Sequence, residues 1–515
     1  MQKQTLTTAE RLCAAYDLNF ADVFSQQFRI ERQPCRPLPG FSHHNFGKWA
    51  LATAAGLPCA VSDTQESDTR IALLGIAVDC DGAVVTTRHL TKQVSADAAI
   101  SYLNACAGRF IFLITTPKFT RLYVDAAASL GAVYDLKDKS IAATLNLVLT
   151  RDTIINDDYP LTKLAMASKA RFAFGHTADK YVKRVLPNHY LDMDTLAQHR
   201  FWDGAQDIID IKPADEARAL DEIAERLAQI MASLSNHFPD TKLPITGGLD
   251  SRVLLACAKP IVSQLSLYSH AENMMSRKDT RIAGRLASIM GQPMAVYDPT
   301  RNPDVAIDDE SRLTMLSNAG RIANAEGDIE TPIPSVRLST LNAVPEGGVV
   351  VRGNVGGLMR AMPWRREIAR YKNGKPLRVQ SGLRLMMLTD SETLNALPPS
   401  DRMKLTEAYE NWYSAFSGTA AERAYDLQFV EQFISHGQGN HFYSFTHNFY
   451  LHAYCDRKFI TRIISLPPDR RAELRYTEAI ISARAPELCA MKYTRKNVTM
   501  RLKENRAEDP NWFLS

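Results

Sequence analysis

The chain has 515 residues, 45% of them hydrophobic and 23% charged. At about 100–200 residues per domain this allows roughly two to four globular domains and excludes disorder as the dominant state. Its 61 Lys and Arg against 57 Asp and Glu give a net charge of +4, too near balance to call for a nucleic-acid or anionic-membrane partner.

Residues 1–48 contain Pro34, Pro37 and Pro39 within six positions and are expected to be an irregular lead-in. No basic segment followed by an apolar core opens the sequence, so no secretory leader is expected. The most apolar run, residues 71–78, stops at Asp79, well short of the roughly 18–20 residues of a membrane helix. The eight cysteines (Cys13, Cys35, Cys59, Cys80, Cys106, Cys257, Cys455, Cys489) form no C-x-x-C pair, which excludes a zinc ribbon or thioredoxin motif. Reduced thiols and a cytoplasmic location are expected from them.

Residues 49–204 read as a smaller, antiparallel, β-rich α+β domain. Strands are predicted over 71–78 and 82–87, over 109–115 and 122–125, and over 132–135 and 140–144, each pair a hairpin. Beyond residue 205 the texture changes. Residues 214–235 place Leu220, Ile223, Ala224, Leu227, Ile230 and Met231 on one helical stripe. Apolar strands then alternate with helices to the end of the chain, the pattern of an α/β unit with a parallel sheet covered by helices.

The segment Thr246-Gly247-Gly248-Leu249-Asp250-Ser251 follows a short apolar strand and opens a helix. Two glycines let the backbone turn tightly and approach a ligand, and the helix start adds unsatisfied N–H groups and a positive dipole end. Together these suit a phosphate, with Thr246 and Ser251 adding hydroxyls. Asp250 repels phosphate directly, so its predicted role is to hold Mg²⁺ between phosphate and protein. A plain turn with Asp250 or Ser251 as a helix cap is the simpler alternative. The apolar strand before the loop and the apolar helix after it favour the phosphate site.

This loop resembles the pyrophosphate-binding loop of the asparagine synthetase-like ATP pyrophosphatases, Ser-Gly-Gly-x-Asp-Ser, with Thr246 in place of the first Ser. Residues 185–202 resemble the segment before that family's synthetase domain. Gly108-Arg109-Phe110 with Asp125 and Val133-Tyr134 is similar to its class II amidotransferase domain. Residues 265–270, then Asp279 and a helix over 280–290, resemble the second strand and helix of its ATP site. The resemblance spans about residues 70–500. It implies an adenine nucleotide α-hydrolase-like sheet with helices on both faces, preceded by a degenerate amidotransferase-like domain. ATP would lie at the carboxyl ends of the strands, held by Thr246, Gly247, Gly248, Asp250, Ser251, Asp279 and Gly353.

Two departures shape the expectation. The family's glutamine-dependent members use a cysteine exposed after initiator Met removal, whereas residue 2 is Gln2. Cys59, Cys80 and Cys106 are expected to be buried structural thiols, so no glutamine hydrolysis is expected. The family also carries an acid in a later Gly-rich loop, where this chain has Gly353-Asn354-Val355-Gly356-Gly357, with Gly357 at the acid's place. Asn354, or Glu326 or Asp328 from elsewhere, are the substitutes. Arg352 and Arg360, beside this turn, could neutralise phosphate charge, although two arginines near a turn more often face solvent. A family lysine that stabilises charge during amide formation points to Lys492 or Lys496, and the choice stays open. His436, His441, His447 and His452, with Glu431 and Asp456, lack the i, i+4 spacing of a helical zinc site and are expected to be structural.

The expected activity is adenylation of a small-molecule or peptide carboxylate and its coupling to an amine, with AMP and pyrophosphate released and ATP and Mg²⁺ used. An ammonia-dependent asparagine synthetase, a non-catalytic nucleotide-binding or partner-binding relative and a tRNA-modifying pyrophosphatase stay open beside it.

Overall fold

The computed structural model describes residues 5–15, 17–62, 68–166, 170–271, 273–298, 343–387, 391–435, 446 and 448–494. Chain order opens with a helix, Thr8–Ala15, and the strands β1 (Phe28–Arg32), β2 (Phe41–Phe46), β3 (Trp49–Ala54), β4 (Cys59–Val61) and β5 (Arg70–Val78). There follow β6 (Ala107–Thr115), β7 (Thr120–Val124), β8 (Val133–Asp135), β9 (Ser140–Ala142), β10 (Val182–Arg184), β11 (His189–Asp192) and β12 (Ala197–Arg200). They form two antiparallel six-stranded sheets, β10-β8-β9-β1-β3-β2 and β12-β11-β7-β6-β5-β4.

The expected irregular lead-in over 1–48 is corrected by β1 and β2. The prolines fall in the connection between these two strands, where no ladder hydrogen bond is lost. β2 pairs with β3 from Phe41↔Ala54 to Phe46↔Trp49, across the expected boundary at residue 48. The hairpins β6–β7 and β8–β9 form as predicted. The hairpin predicted over 71–78 and 82–87 does not. Only a single bridge, Val78↔Val84, joins those segments, and β5 pairs instead with β6 and β4. β5 is apolar throughout because both its faces are covered. Ala72, Leu74, Ile76 and Val78 enter the main core with Phe28, Ile30 and Leu51, while Ile71, Leu73 and Ala77 pack with Leu90, Ala99 and Leu103 from helices.

The helix Glu216–His237 buries the predicted stripe, extended by Leu234. After it come β13 (Lys242–Pro244), β14 (Ser266–His270), β15 (Ala295–Tyr297), β16 (Val349–Arg352) and β17 (Phe449–His452). They make a five-stranded sheet, β15-β14-β13-β16-β17, in which every pairing is parallel. The chain moves outward from β13 to β15, then crosses to the other side of β13 to place β16. The strand order therefore reverses between β13 and β16. In open parallel sheets such a reversal leaves a crevice at the strands' carboxyl ends.

The helix after β14 runs Met274–Ile289 and starts earlier than predicted. Asn273 caps it, accepting from the Met275 and Ser276 amides, while the Ser276 hydroxyl accepts from the Asn273 amide. Among the described residues no helix is long and apolar enough to cross a membrane.

Candidate functional site at the sheet's switch point

The loop after β13 is tied down from three sides. The Thr246 amide donates to Ser251 Oγ at 3.1 Å, and the Gly248 amide donates to Thr246 Oγ1 at 3.0 Å. The two hydroxyls lie 3.0 Å apart. One hydroxyl hydrogen closes that contact and the other stays available for a ligand. The Gly247 amide donates to Asp279 Oδ1 at 3.2 Å, and the Thr494 amide donates to Gly247 O at 3.1 Å. The Thr494 hydroxyl also donates to Asp279 Oδ1. A Cβ on Gly247 would run into this hydroxyl and into Ile282, so only glycine fits there.

Sequence reasoning named Thr246, Gly247, Gly248, Ser251 and Asp279, and the structure brings all five together. It missed Thr494, which a long-range contact delivers. Arg252, one turn into the helix Asp250–Cys257, donates to the carbonyls of Met491 (2.8 Å) and Lys492 (2.9 Å). Its guanidinium lies 3.8 Å from the Tyr493 ring centroid. That grip lays residues 491–494 over the loop.

Asp250 begins the helix, and its carboxylate meets Arg360 side-on. Arg360 Nε donates to Oδ1 at 2.9 Å and NH2 donates to Oδ2 at 2.6 Å, a bidentate pair. The Asp250 carbonyl accepts from the Tyr454 hydroxyl at 2.8 Å. Arg360 ends the turn Asn354–Arg360 that follows β16. Gly353 and Gly356 press against Asp250: a Cβ on either would lie 3.1–3.2 Å from Asp250 Cβ. Glycine at these two positions is what lets the β13 and β16 loops touch.

The loops open into a cavity of about 1070 Å³. Arg352, Arg360 and Arg365 line it, as do Asp250 and Asp279. Of the two readings of these arginines, the lining accords with the phosphate-facing one: Arg352 ends β16, and the turn after β16 folds back toward β13 and carries Arg360 into the crevice. One wall is a π-helical turn, Phe429–Ile434, which contributes Phe429, Phe433 and Ile434. A Cβ on Gly357 would meet the Phe429 ring, so no carboxylate stands at the expected second acid position.

The Asp250 carboxylate, expected to hold Mg²⁺, is paired with an arginine in this structure. Both its oxygens are engaged by Arg360, and Asp279 Oδ1 is taken by Gly247 and Thr494. Among the described residues no group of three or more His, Cys, Asp or Glu is placed to hold a metal ion. Lys492 is exposed and lies outside the cavity lining. Lys496, Glu326, Asp328, His436, His441 and His447 lie outside the described residues.

Away from the crevice, the remaining motif residues hold the two halves together. Asp125 accepts from the amides of Phe110, Ala127, Ser129 and Leu130 and from the Cys455 thiol. The Gly108 amide donates to the Cys455 carbonyl at 2.9 Å, and Arg109 reaches the carbonyls of Ser129 and Tyr450. Burial, with Asp125 beside it, pushes the Cys455 thiol well above its ordinary value, which suits packing and not nucleophilic attack. Cys106 is buried as expected, but Cys59 and Cys80 are exposed, because each lies at or beyond the end of a strand.

Glu431 and Asp456 are each held by several hydrogen bonds from their surroundings. Glu431 takes both guanidinium nitrogens of Arg200 (2.6 and 2.9 Å), Asn188 (2.7 Å) and the Trp412 indole (2.7 Å). Asp456 caps the helix Arg457–Ser465 and pairs with Arg226 at 2.7 Å. His452 is fully buried at the end of β17.

The arrangement is therefore a mixed α/β protein with antiparallel sheets first and a parallel sheet after, carrying an arginine-lined cavity at the parallel sheet's switch point. The chain matches no known protein family, and no curated protein matches it either.

Proposed function

We propose that the protein is an ATP-dependent amide ligase that adenylates a carboxylate and passes the acyl group to an amine. The observation carrying this reading is the crevice itself. The Gly-rich loop after β13 and the Gly-rich turn after β16 meet at the point where the strand order reverses, the place where parallel sheets bind nucleotides. In this reading the β13 loop and the spare hydroxyl hydrogen of the Thr246–Ser251 pair cradle the β- and γ-phosphates. The substrate carboxylate oxygen attacks the α-phosphorus, and pyrophosphate leaves with the electron pair of the broken P–O bond. The amine then attacks the acyl carbon, loses a proton and expels AMP. Arginines in a walled cavity stabilise the charge that moves between phosphate oxygens, and the chain's contribution is mainly positioning.

A second reading, nucleotide binding without turnover, is favoured by one observation: among the described residues no lysine lines the cavity. ATP–pyrophosphate exchange separates the two. Exchange is measured on the full chain with pooled carboxylates, with and without Mg²⁺, and in a separate arm with aspartate and ammonia. Amide ligation predicts carboxylate-dependent exchange that Gly247→Val abolishes, and that Ser251→Ala lowers by about tenfold as one charge-assisted hydrogen bond is lost. ATP binding without exchange assigns the second reading. Product formation only with aspartate and ammonia assigns an asparagine synthetase.

A further inference from the structure

Asp250 is the acid that a metal-dependent site would need, yet its carboxylate is closed by Arg360 through two parallel hydrogen bonds. The side chains are 25% and 21% exposed, so the pair sits at the cavity surface and can exchange partners. Arg360 is held there by its backbone. Arg471, fully buried, donates to the Leu358 carbonyl at 2.8 Å and is itself fixed by Asp426 at 3.0 and 2.5 Å. Ala361, the next residue, takes a left-handed φ of 43° that ends the turn. Arg352 and Arg365 line the same cavity, and no second carboxylate stands at Gly357.

We infer that Arg360 is the cation that neutralises a polyphosphate in this crevice, and that Asp250 is its resting partner, displaced when the anion arrives. The inference rests on the reading of the crevice as a polyphosphate site, and it names the charge that does the holding. A guanidinium presents a planar fork that fits phosphate as well as carboxylate, so a phosphate can replace Asp250 without moving the arginine far. Asp250 then competes with the ligand. A metal-holding Asp250 would have the opposite effect.

Calorimetric titration of the full chain with inorganic pyrophosphate, in EDTA and in Mg²⁺, tests this. Wild type is expected to bind in EDTA within about threefold of its affinity in Mg²⁺, because the fixed cation already supplies the charge. Asp250→Asn, which frees Arg360, should bind about threefold tighter or more in EDTA. Arg360→Gln should bind at least about tenfold more weakly, and Arg360→Lys should fall between, since an ammonium keeps the charge and loses the fork. A thermal melt on each variant confirms folding. Binding seen only with Mg²⁺, and weakened by Asp250→Asn, makes Asp250 a metal ligand and overturns the inference while leaving the ligase reading intact. No pyrophosphate binding in either buffer overturns the polyphosphate reading along with it.

Discussion

Glu431 and Asp250 are both acids gripped by two nitrogens of one arginine, but they belong to regions built on opposite terms. Glu431 lies at the junction of the two halves, fully enclosed, with Asn188 and Trp412 completing its shell. Burial raises its carboxyl, and Arg200, with His189 and Asn188, more than offsets the rise, so it ends below the usual carboxylate value. Asp250 lies at the rim of an open cavity, a quarter exposed, with one charged partner. The junction spends its charges on closure and leaves them no freedom. The crevice keeps its charges within reach of solvent. Residues that look equally functional in the sequence thus divide by whether their shell is complete.

The sharpest way to break this comparison is to empty each region in turn. Glu431→Ala takes the acceptor from the buried Asn188 and Trp412 donors and the partner from Arg200, which is 16% exposed, and should cost about 3 kcal/mol. Urea unfolding checks it, and a loss below about 1 kcal/mol would show that the junction relaxes as the crevice does.

Acid should loosen the fold next. Burial, helped by the charges of Arg352 and Arg109, lowers His452 to about 3. Burial, helped by Lys183, lowers His176 to about 4. Each is neutral when folded but takes up a proton near pH 6.5 when unfolded, so each stabilises the fold fully above that pH. The stability then falls between about pH 6.5 and the folded value, as the unfolded chain binds more protons. From pH 7 to pH 5 the loss is on the order of 2 kcal/mol per histidine. The melting temperature should drop over that interval, and His452→Gln should make the drop smaller.

Arg360→Gln should have the smallest effect on stability, within about 1 kcal/mol, because its pair is partly solvated. A larger cost would mean that the crevice is held together by the Asp250–Arg360 bond and is not poised to open.

The sequence made the local parts of this architecture legible and left the long-range parts dark. The β6–β7 and β8–β9 hairpins and the helix Glu216–His237 followed from periodicity, because their partners are a few residues away. The loop at 246–251 followed from glycine spacing and the change from strand to helix. β2 was hidden because Ser42, His43, His44 and Asn45 give an edge strand no apolar pattern. β13 is only three residues long and contains Lys242 and Pro244, so its central place in the sheet is set by neighbours and not by propensity. Arg360 pairs with a residue 110 positions away and Thr494 with one 215 positions away. No local rule foresees either contact.

The shell around Glu431 has a consequence for how the protein is made. Arg200 and Glu431 are separated by 231 positions, and the bonds from Gln26 and Arg109 to residues 446–450 span longer stretches still. At translation rates of about 5–20 residues per second, Arg200 waits roughly 10–50 s for its partner to be synthesised. During that interval the first half of the nascent chain presents Arg109, Asn188 and Arg200 to water, and the last third arrives as the keystone that seals them. Emergence of Glu431 and of residues 446–450, and not collapse of the first sheets, is what lets these bonds close.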